Sequence, residues 1–259
     1  MKNVYILGGL LLLLGIGYIV FVNLSPQVLE ENNYSAAIGA GEYRVQPIEH
    51  ASFLLNFGGV QIANDPVGEL AEYGLAGTVP DLILLSDVHQ DHLSIETLEA
   101  MVTATTTIIA PQAVFNELPE RLAAMTVVMG NDDAHSVADI KIRAMPMYNL
   151  PESADAFHVK GAGNGYLLTQ ANTTIYIAGD TADIPEMRAL TDIDVAFIPM
   201  NMPFTMDVET AADAVLEFVP KLVYPYHYRG SDGLADVERF KTLVTEANSN
   251  IEVVLLEWY

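Results

Sequence analysis

The stretch SDVHQDHL at residues 86–93 carries four potential metal ligands within six positions and directly follows the apolar run 82–85. In an extended segment alternate side chains share a face, so Asp87, His89 and Asp91 point the same way. His92 joins them if the chain turns there, and a helix capped by Ser94 would supply that turn. Imidazole and carboxylate together suit Zn²⁺, Mn²⁺ or Fe²⁺. The stretch therefore predicts a divalent-metal site at the end of a buried strand, rather than an ordinary solvated loop.

The sequence around this stretch shows an internal repeat. Residues 52–65 and 165–180 each read as a hairpin whose second strand ends in Ile-Ala-x-Asp, at Asp65 and Asp180 respectively. Buried strands follow at 81–85 and 107–111 in the first half, and at 194–198 and 222–225 in the second. Helices are expected at 95–103, 208–218 and 234–247, the last two capped by Asp207 and by Asp232 or Gly233. The repeat predicts two similar β-rich halves with helices outside, their strand ends meeting at one edge.

Composition limits the class of protein. The chain has 259 residues, 51% of them apolar, which suits one large α/β domain or at most two small ones. It has no cysteine, which excludes disulfides, thiolate metal sites and cysteine nucleophiles. The formal net charge is -23, from 34 acidic and 11 basic residues, so we expect no nucleic-acid partner. The sequence also lacks a Gly-x-Ser-x-Gly motif, which leaves a serine-triad hydrolase without support.

The N-terminal residues predict a membrane segment. Residues 4–22 contain no charged side chain and are about long enough to span a bilayer. No small-x-small cleavage site follows, which favours a transmembrane anchor over a cleaved signal sequence in residues 1–23. Lys2 is the only charge before Glu30, so we expect the domain outside the cytoplasm, periplasmic or extracellular, or exported as a soluble form if cleaved. Residues 24–41 read as a linker, and residues 42–259 as the folded domain.

Residues 43–259 resemble the metallo-β-lactamase superfamily, whose hallmark is His-x-His-x-Asp-His after a strand. The likeness continues in EHASFLL (49–55), IANDP (62–66), MPMYN (145–149), YIAGDT (176–181), FTMD (204–207) and PYHY (225–228). The set is similar to the branch related to ascorbate-6-phosphate lactonase and to many uncharacterised hydrolases. The resemblance implies a four-layer αββα sandwich of two similar halves.

The resemblance also implies ligand roles. Asp87 and His89 would bind a first metal ion, Asp91, His92 and His227 a second, and Asp180 would bridge the two. Asp87 stands where the family usually has histidine, and Asn149 stands where a third first-site histidine often lies. One or two ions are therefore expected: Zn²⁺ first, with Mn²⁺ or Fe²⁺ as alternatives at the oxygen-rich first position.

Four further residues are candidates for supporting roles. His50, His158 and Lys160 are expected to line the substrate pocket, where His158 could replace the ligand lost at Asn149 and Lys160 could bind an anion. Purely structural roles are the alternative for each. Asp65, opposite Asp180 in the repeat, is expected either to accept a hydrogen bond from a ligand histidine or to cap the chain.

These residues predict a metal-dependent hydrolase. A metal-bound hydroxide would attack an ester, lactone, amide or phosphodiester bond of a small-molecule or lipid-derived substrate. Asp91 and Asp180 are the expected catalytic residues, with Asp91 taking the water proton. The alternatives are a protein of this fold that binds metal or ligand without turnover, and a di-iron redox protein. The oligomeric state is left open.

Overall fold

The computed structural model describes residues 34–38, 41–74 and 79–259, and side chains from Tyr43 onward. The predicted anchor at 1–23 and residues 24–33 of the predicted linker lie outside these ranges. Among the helices of the described ranges, none has both the length and the apolar character that a bilayer crossing requires.

The first sheet has seven strands that follow one another in chain order. They are β1 (Tyr34–Ile38), β2 (Gly41–Glu49), β3 (Ser52–Phe57), β4 (Val60–Asn64), β5 (Leu82–Leu84), β6 (Thr107–Ala110) and β7 (Thr126–Val128). Strands β1 to β4 pair antiparallel, and β4 to β7 pair parallel. Because β1 pairs with β2, the sheet already begins inside the stretch predicted as linker.

The second sheet repeats this plan. Its strands are β8 (Ala134–Val137), β9 (Ile140–Met147), β10 (Gly163–Gln170), β11 (Thr173–Ile177), β12 (Val195–Pro199), β13 (Leu222–Tyr226) and β16 (Glu252–Val253). Strands β8 to β11 pair antiparallel, and β11, β12, β13 and β16 pair parallel. Each predicted repeat hairpin is present, followed by its two parallel strands, so the two-halves prediction is confirmed. A small ribbon of β14 (Arg229–Gly230) and β15 (Gly233–Leu234) follows β13.

Helices cover the outer faces of both sheets. They are α1 (Ile95–Met101), α2 (Gln112–Phe115), α3 (Glu120–Ala123), α4 (Pro185–Arg188), α5 (Val208–Phe218) and α6 (Val237–Ala247). Leu98 of α1 and Leu122 of α3 share one apolar cluster with Leu54 and Ile83 of the first sheet. On the other side Phe218 of α5 contacts the ring of Tyr176 in β11. The described chain is therefore a four-layer α/β sandwich.

The two sheets pack through alternate side chains. Phe53, Leu55 and Phe57 of β3 point into the space between the sheets, whereas Leu54 between them points to the helices. The ring of Phe53 stacks on Phe197 of the second sheet at a centroid distance of 4.5 Å, and Phe197 stacks on Tyr224 at 5.0 Å. This aromatic stack fixes the sheets against each other below the strand ends.

The predicted helix starts are confirmed for two helices and wrong for the third. Ser94 accepts a hydrogen bond from the Thr97 amide, and Asp207 accepts one from the Thr210 amide, as N-caps do. Helix α6 begins at Val237 with Asp236 as its cap, not at 234. Gly233 and Leu234 instead pair with residues 229–230, so this stretch is used in a strand before the helix begins.

The aromatic stack makes a stability prediction. We expect Phe197→Ala to lower the free energy of unfolding by about 3–5 kcal/mol, because a fully buried ring leaves a cavity that the two sheets cannot close. Urea denaturation at fixed metal concentration measures the loss. Phe157→Ala, the same change at a side chain that is 56% exposed, is the matched control and should cost less than about 1 kcal/mol. Equal losses in the two variants would contradict the assigned packing.

Candidate metal centre

The functional side chains lie where the strands of both halves end. Asp65 follows β4, Asp87 follows β5, Asp180 follows β11 and His227 follows β13. Three of these strand ends turn through the left-handed region, at Asp65 (φ 40), Gly179 (φ 67) and His227 (φ 46). Such φ values are uncommon away from glycine and concentrate at functional sites. These turns direct the side chains of Asp65, Asp180 and His227 from the edges of the two sheets into one shared space.

Direct hydrogen bonds join the two halves at this edge. The Tyr166 hydroxyl donates to the Leu85 carbonyl at 2.6 Å, and the Asn164 amide donates to the Ser86 carbonyl at 3.0 Å. A Cβ at Gly163 would lie 2.9 Å from that Ser86 oxygen, so a glycine is required for the approach. The backbone that carries Asp87 is thereby fixed against the second sheet.

One group of potential ligands consists of Asp87, His89 and His158, whose ligand atoms lie within 4.8 Å of one another. His89 Nδ1 contacts Asp87 Oδ2, and His158 Nε2 lies 3.2 Å from the same oxygen. His158 comes from the loop between β9 and β10, whereas the other two follow β5.

A second group consists of His92, Asp180 and His227, all buried. The Nε2 atoms of His92 and His227 are 3.2 Å apart, and each lies 3.4 Å from Asp180 Oδ2. His158 Nε2 lies 3.5 Å from the same Asp180 oxygen, so Asp180 stands between the two groups. Asp91 Oδ2 is 3.4 Å from His227 Nε2, at the more exposed side of this group.

A carboxylate behind His92 orients its ring. His92 Nδ1 lies 2.9 Å from Asp65 Oδ2, while Ser86 donates to Asp65 through both its amide, at 2.7 Å, and its hydroxyl, at 2.6 Å. Because Asp65 accepts at this contact, Nδ1 of His92 carries a proton, and the Nε2 atom of the ring faces the site. Asp65 thus has the acceptor position that the sequence predicted for it.

The electrostatics keep the carboxylates of the site ionised. Burial opposes the charge on Asp180, but the imidazoles of His227 and His92 hold its pKa well below the usual range. Burial likewise opposes the charge on Asp91, but hydrogen bonding to His227 and the charge of His92 lower its pKa to about 2. In the same way Asp180 and Asp65 overcome the burial of His92 and raise its pKa well above the normal value.

This arrangement fits a divalent cation better than it fits hydrogen bonding alone. Three imidazole Nε2 atoms converge on one Asp180 oxygen, and two of them lie 3.2 Å from each other. The other oxygen, Asp180 Oδ1, is buried and has no hydrogen-bond partner in the described part of the chain. Such an orphaned buried carboxylate oxygen is costly unless a cation occupies the space beside it.

Two sequence-predicted residues do not join these groups. Asn149 is the first: its Nδ2 donates to the Phe204 carbonyl at 2.8 Å, and its Oδ1 accepts from the His158 amide at 2.8 Å. Both amide atoms of Asn149 are therefore used to hold the His158 loop, and His158 has the place predicted for Asn149. Lys160 is the second: its Nζ pairs with Glu186 at 3.0 Å and lies 3.2 Å from the Tyr148 hydroxyl, away from the cavity lining.

His50 lies beside the second group rather than in the cavity lining. Its ring is 5.5 Å from that of His227, and it forms a third possible ligand group with Asp91 and His227. On its other side His50 Nδ1 lies 3.4 Å from the Tyr259 hydroxyl. His50 therefore supports the His227 side of the site from behind.

A cavity of about 610 Å³ opens directly over the two groups, and its lining adds residues that the sequence analysis missed. Asn201, Phe157, Phe204 and Val88 share it with His89, Asp91, His158 and Asp180. Asn201 follows β12 as Asp87 follows β5, so its strand-end position was a usable signal. Phe157 lies on a loop without a repeated pattern, and Phe204, although it begins the FTMD stretch, had no signal that placed it in the cavity lining.

Comparisons with known proteins agree with this geometry. A family model described as a β-lactamase superfamily domain matches residues 44–227. A UPF0173 metal-dependent hydrolase from Thermococcus kodakarensis is 30% identical over 224 residues, covering 83% of this chain and 96% of that relative. The corresponding hydrolase from Pyrococcus furiosus is 31% identical over 226 residues, with the same coverage.

Among solved structures, the chain is similar to the crystal structure of a putative metal-dependent hydrolase from Parabacteroides distasonis. The two are 35% identical with a TM-score of 0.76, over 88% of this chain and 99% of the other. The chain belongs to the metallo-β-lactamase superfamily. Within it, this protein is a metal-dependent hydrolase with a His/Asp cluster suited to divalent metal.

The Asp65–His92 contact makes a testable prediction. We expect Asp65→Asn to weaken metal affinity about 10- to 100-fold, because the amide no longer fixes the His92 ring as a carboxylate does. Titration of the metal-free full chain with Zn²⁺ against a competing chelator measures the affinity. Asp81→Asn is the matched control, since Asp81 also accepts a backbone N–H, from Gln61 at 2.9 Å, but at the start of β5. An unchanged affinity in Asp65→Asn would remove the orienting role.

Proposed function

We propose that the protein hydrolyses a small-molecule substrate at two adjacent metal positions. Asp87, His89 and His158 would hold one ion, His92, His227 and Asp91 would hold a second, and Asp180, which lies between the two groups, would contribute to both. The convergence of three imidazole nitrogens on Asp180 Oδ2, within 3.4–3.5 Å, is the observation that carries this proposal. The bond that is hydrolysed is an ester, lactone, amide or phosphodiester bond.

The donor set makes the first position less oxygen-rich than the sequence indicated. With His158 in place of Asn149, the first position offers two imidazoles with Asp87 and Asp180, and the second offers two imidazoles with Asp91 and Asp180. Mixed imidazole and carboxylate sets of this kind suit Zn²⁺, with Mn²⁺ and Fe²⁺ as alternatives. A divalent ion held there supplies Lewis acidity and lowers the pKa of water from ~15.7 towards ~7.

Asp91 is the proposed proton acceptor. It lines the cavity, its side chain is 42% exposed, and it is anchored on one side by His227. Its carboxylate is ionised at neutral pH and reaches solvent, so it can accept a proton from the attacking water and, as a weak base, release that proton to solvent. Asp180 is buried, and we propose that its carboxylate helps to bind the cations and keeps the two ligand groups together.

We also propose that the domain works outside the cytoplasm on an N-terminal membrane anchor. The uncharged run at 4–22 and Lys2 before it support this placement. A lipid-derived substrate is compatible with such an anchor.

Elemental analysis of the purified full chain tests the two positions. We expect about two ions per chain and about one in either His89→Ala/His158→Ala or His92→Ala/His227→Ala, because each double variant keeps Asp180 and the ligands of the other position. His135→Ala changes an exposed histidine outside the site and should retain both ions. A full complement in either double variant would contradict the assignment.

Activity tests the role of Asp91. On 4-nitrophenyl acetate and bis(4-nitrophenyl) phosphate we expect turnover that is lost on chelation and restored by Zn²⁺. Asp91→Asn should lower kcat about 10²- to 10⁴-fold while keeping at least one ion, because the amide cannot accept the proton. Gln90→Ala, a neighbouring change in the same cavity lining, should stay within about threefold of the parent. Near-parental kcat in metal-loaded Asp91→Asn would show that another group takes the proton.

A further inference from the structure

The cavity over the metal centre has one apolar side. Phe157 and Phe204 meet edge to face at a centroid distance of 5.1 Å, and Val88 lines the same space. Phe157 is 56% exposed and Val88 39% exposed, although both belong to a chain that buries most of its large apolar residues. Exposed apolar side chains beside a polar centre are typical of a ligand site, where they cover the part of the ligand that does not react.

We refer to Phe157, Phe204 and Val88 as the apolar rim, and its two rings are fixed in place relative to the metal ligands. Asn149 donates to the Phe204 carbonyl and accepts from the His158 amide, and His158 Nδ1 also lies 3.2 Å from the Phe204 carbonyl. The segment carrying Phe157 and the segment carrying Phe204 are thus joined at His158 itself. A rigid rim of this kind orders a bound ligand at small entropic cost.

The lining offers no cationic side chain for an anionic group. No lysine or arginine is among the described residues that line the cavity, whereas Asp91 and Asp180 are. Lys160, on the same loop as His158, is already paired with Glu186 at 3.0 Å and Glu152 at 3.4 Å. A chain of net charge -23 adds a field that opposes anions.

One neutral donor does point toward the reacting region. Asn201 is buried, and its Oδ1 accepts from the Thr205 hydroxyl at 2.5 Å, which leaves the NH₂ group directed to the site. Its Nδ2 lies 3.3 Å from His227 Nε2. A carbonyl oxygen in the cavity is the acceptor that suits such an amide, as a preorganised donor to developing charge.

We infer that the substrate is an uncharged carbonyl compound, such as a carboxylic ester or lactone, whose apolar acyl or aryl group packs against Phe157, Phe204 and Val88. This inference rests on the proposed hydrolase function and narrows it. For an ester, water adds to the carbonyl carbon, the C–O bond to the alcohol breaks, and the products are a carboxylate, an alcohol and a proton that passes to solvent by way of Asp91.

Kinetics on a matched series test the substrate class. The purified, Zn²⁺-loaded full chain is given 4-nitrophenyl acetate, butyrate and hexanoate, with bis(4-nitrophenyl) phosphate as the anionic comparison. We expect kcat/KM to rise about tenfold from acetate to hexanoate, a fraction of what full burial of four methylene groups would give. The phosphodiester should be at least about 100-fold poorer than hexanoate. Equal or better turnover of the phosphodiester, or no rise along the series, would overturn the inference.

Two variants test whether Phe157 and Phe204 cause the expected preference for longer acyl chains. Phe157→Ala and Phe204→Ala should each lower kcat/KM for hexanoate about fivefold and change that for acetate less than twofold, with metal content unchanged. Leu234→Ala is the matched control, because Leu234 is 55% exposed but lies in the ribbon after β13. Losses of the same size on acetate and hexanoate would assign the two rings a structural role instead.

A binding measurement separates this inference from the proposed function. Calorimetry with acetohydroxamate and hexanohydroxamate, two metal-binding probes, should show a Kd about tenfold lower for the longer chain, and Phe157→Ala should reduce the difference. A chain-length preference in binding without turnover of any ester would overturn the hydrolase proposal but keep the apolar subsite. Ester turnover without a chain-length preference in either kinetics or binding would keep the hydrolase proposal and overturn the apolar subsite.

Discussion

The contact between the two halves at the Leu85 and Ser86 carbonyls is the constraint on which the rest of the structure depends. Tyr166 and Asn164 of the second sheet donate to these carbonyls, and Gly163 leaves room for the approach. The residues that follow, from Asp87 to His92, are thereby aimed at Asp180 and His227. Without this contact each half would hold an incomplete ligand set, since neither half alone supplies both groups.

The alternation of apolar residues and the internal repeat in the sequence predicted much of the fold and of this ligand arrangement. Alternation in β3, the Ile-Ala-x-Asp hairpin ends and the parallel strands after them are local patterns that each half shows independently. Strand ends of parallel pairs meet at one edge, so Asp87, Asp180 and His227 are predicted from the sequence alone to lie close together. The start of α6 could not, because Gly233 and Leu234 carry equally good signals for a helix start and for the ribbon that they form.

The loop between β9 and β10 shows where sequence patterns stop being informative. Asn149 and His158 are nine positions apart in an irregular segment, and which of them faces the site depends on their mutual hydrogen bond and on Phe204, 55 positions beyond Asn149. The same holds for Phe157 and Phe204, whose ring contact exists only once both loops are folded. The resemblance implied a ligand at Asn149, whereas tertiary contacts bring His158 of the same segment to the site.

The split of the ligands between halves also affects how the chain folds. His92 and His227 are 135 residues apart in sequence, yet their Nε2 atoms lie 3.2 Å apart, so this contact closes one of the longest loops in the domain. Closing so long a loop costs chain entropy, so we expect each hairpin and its parallel strands to form before this contact. A metal ion would therefore meet its full ligand set only in the nearly native chain, and its binding energy would add little to the stability of the transition state for folding. The bound ion would then increase the kinetic stability of the chain, because it would slow unfolding far more than it would speed folding.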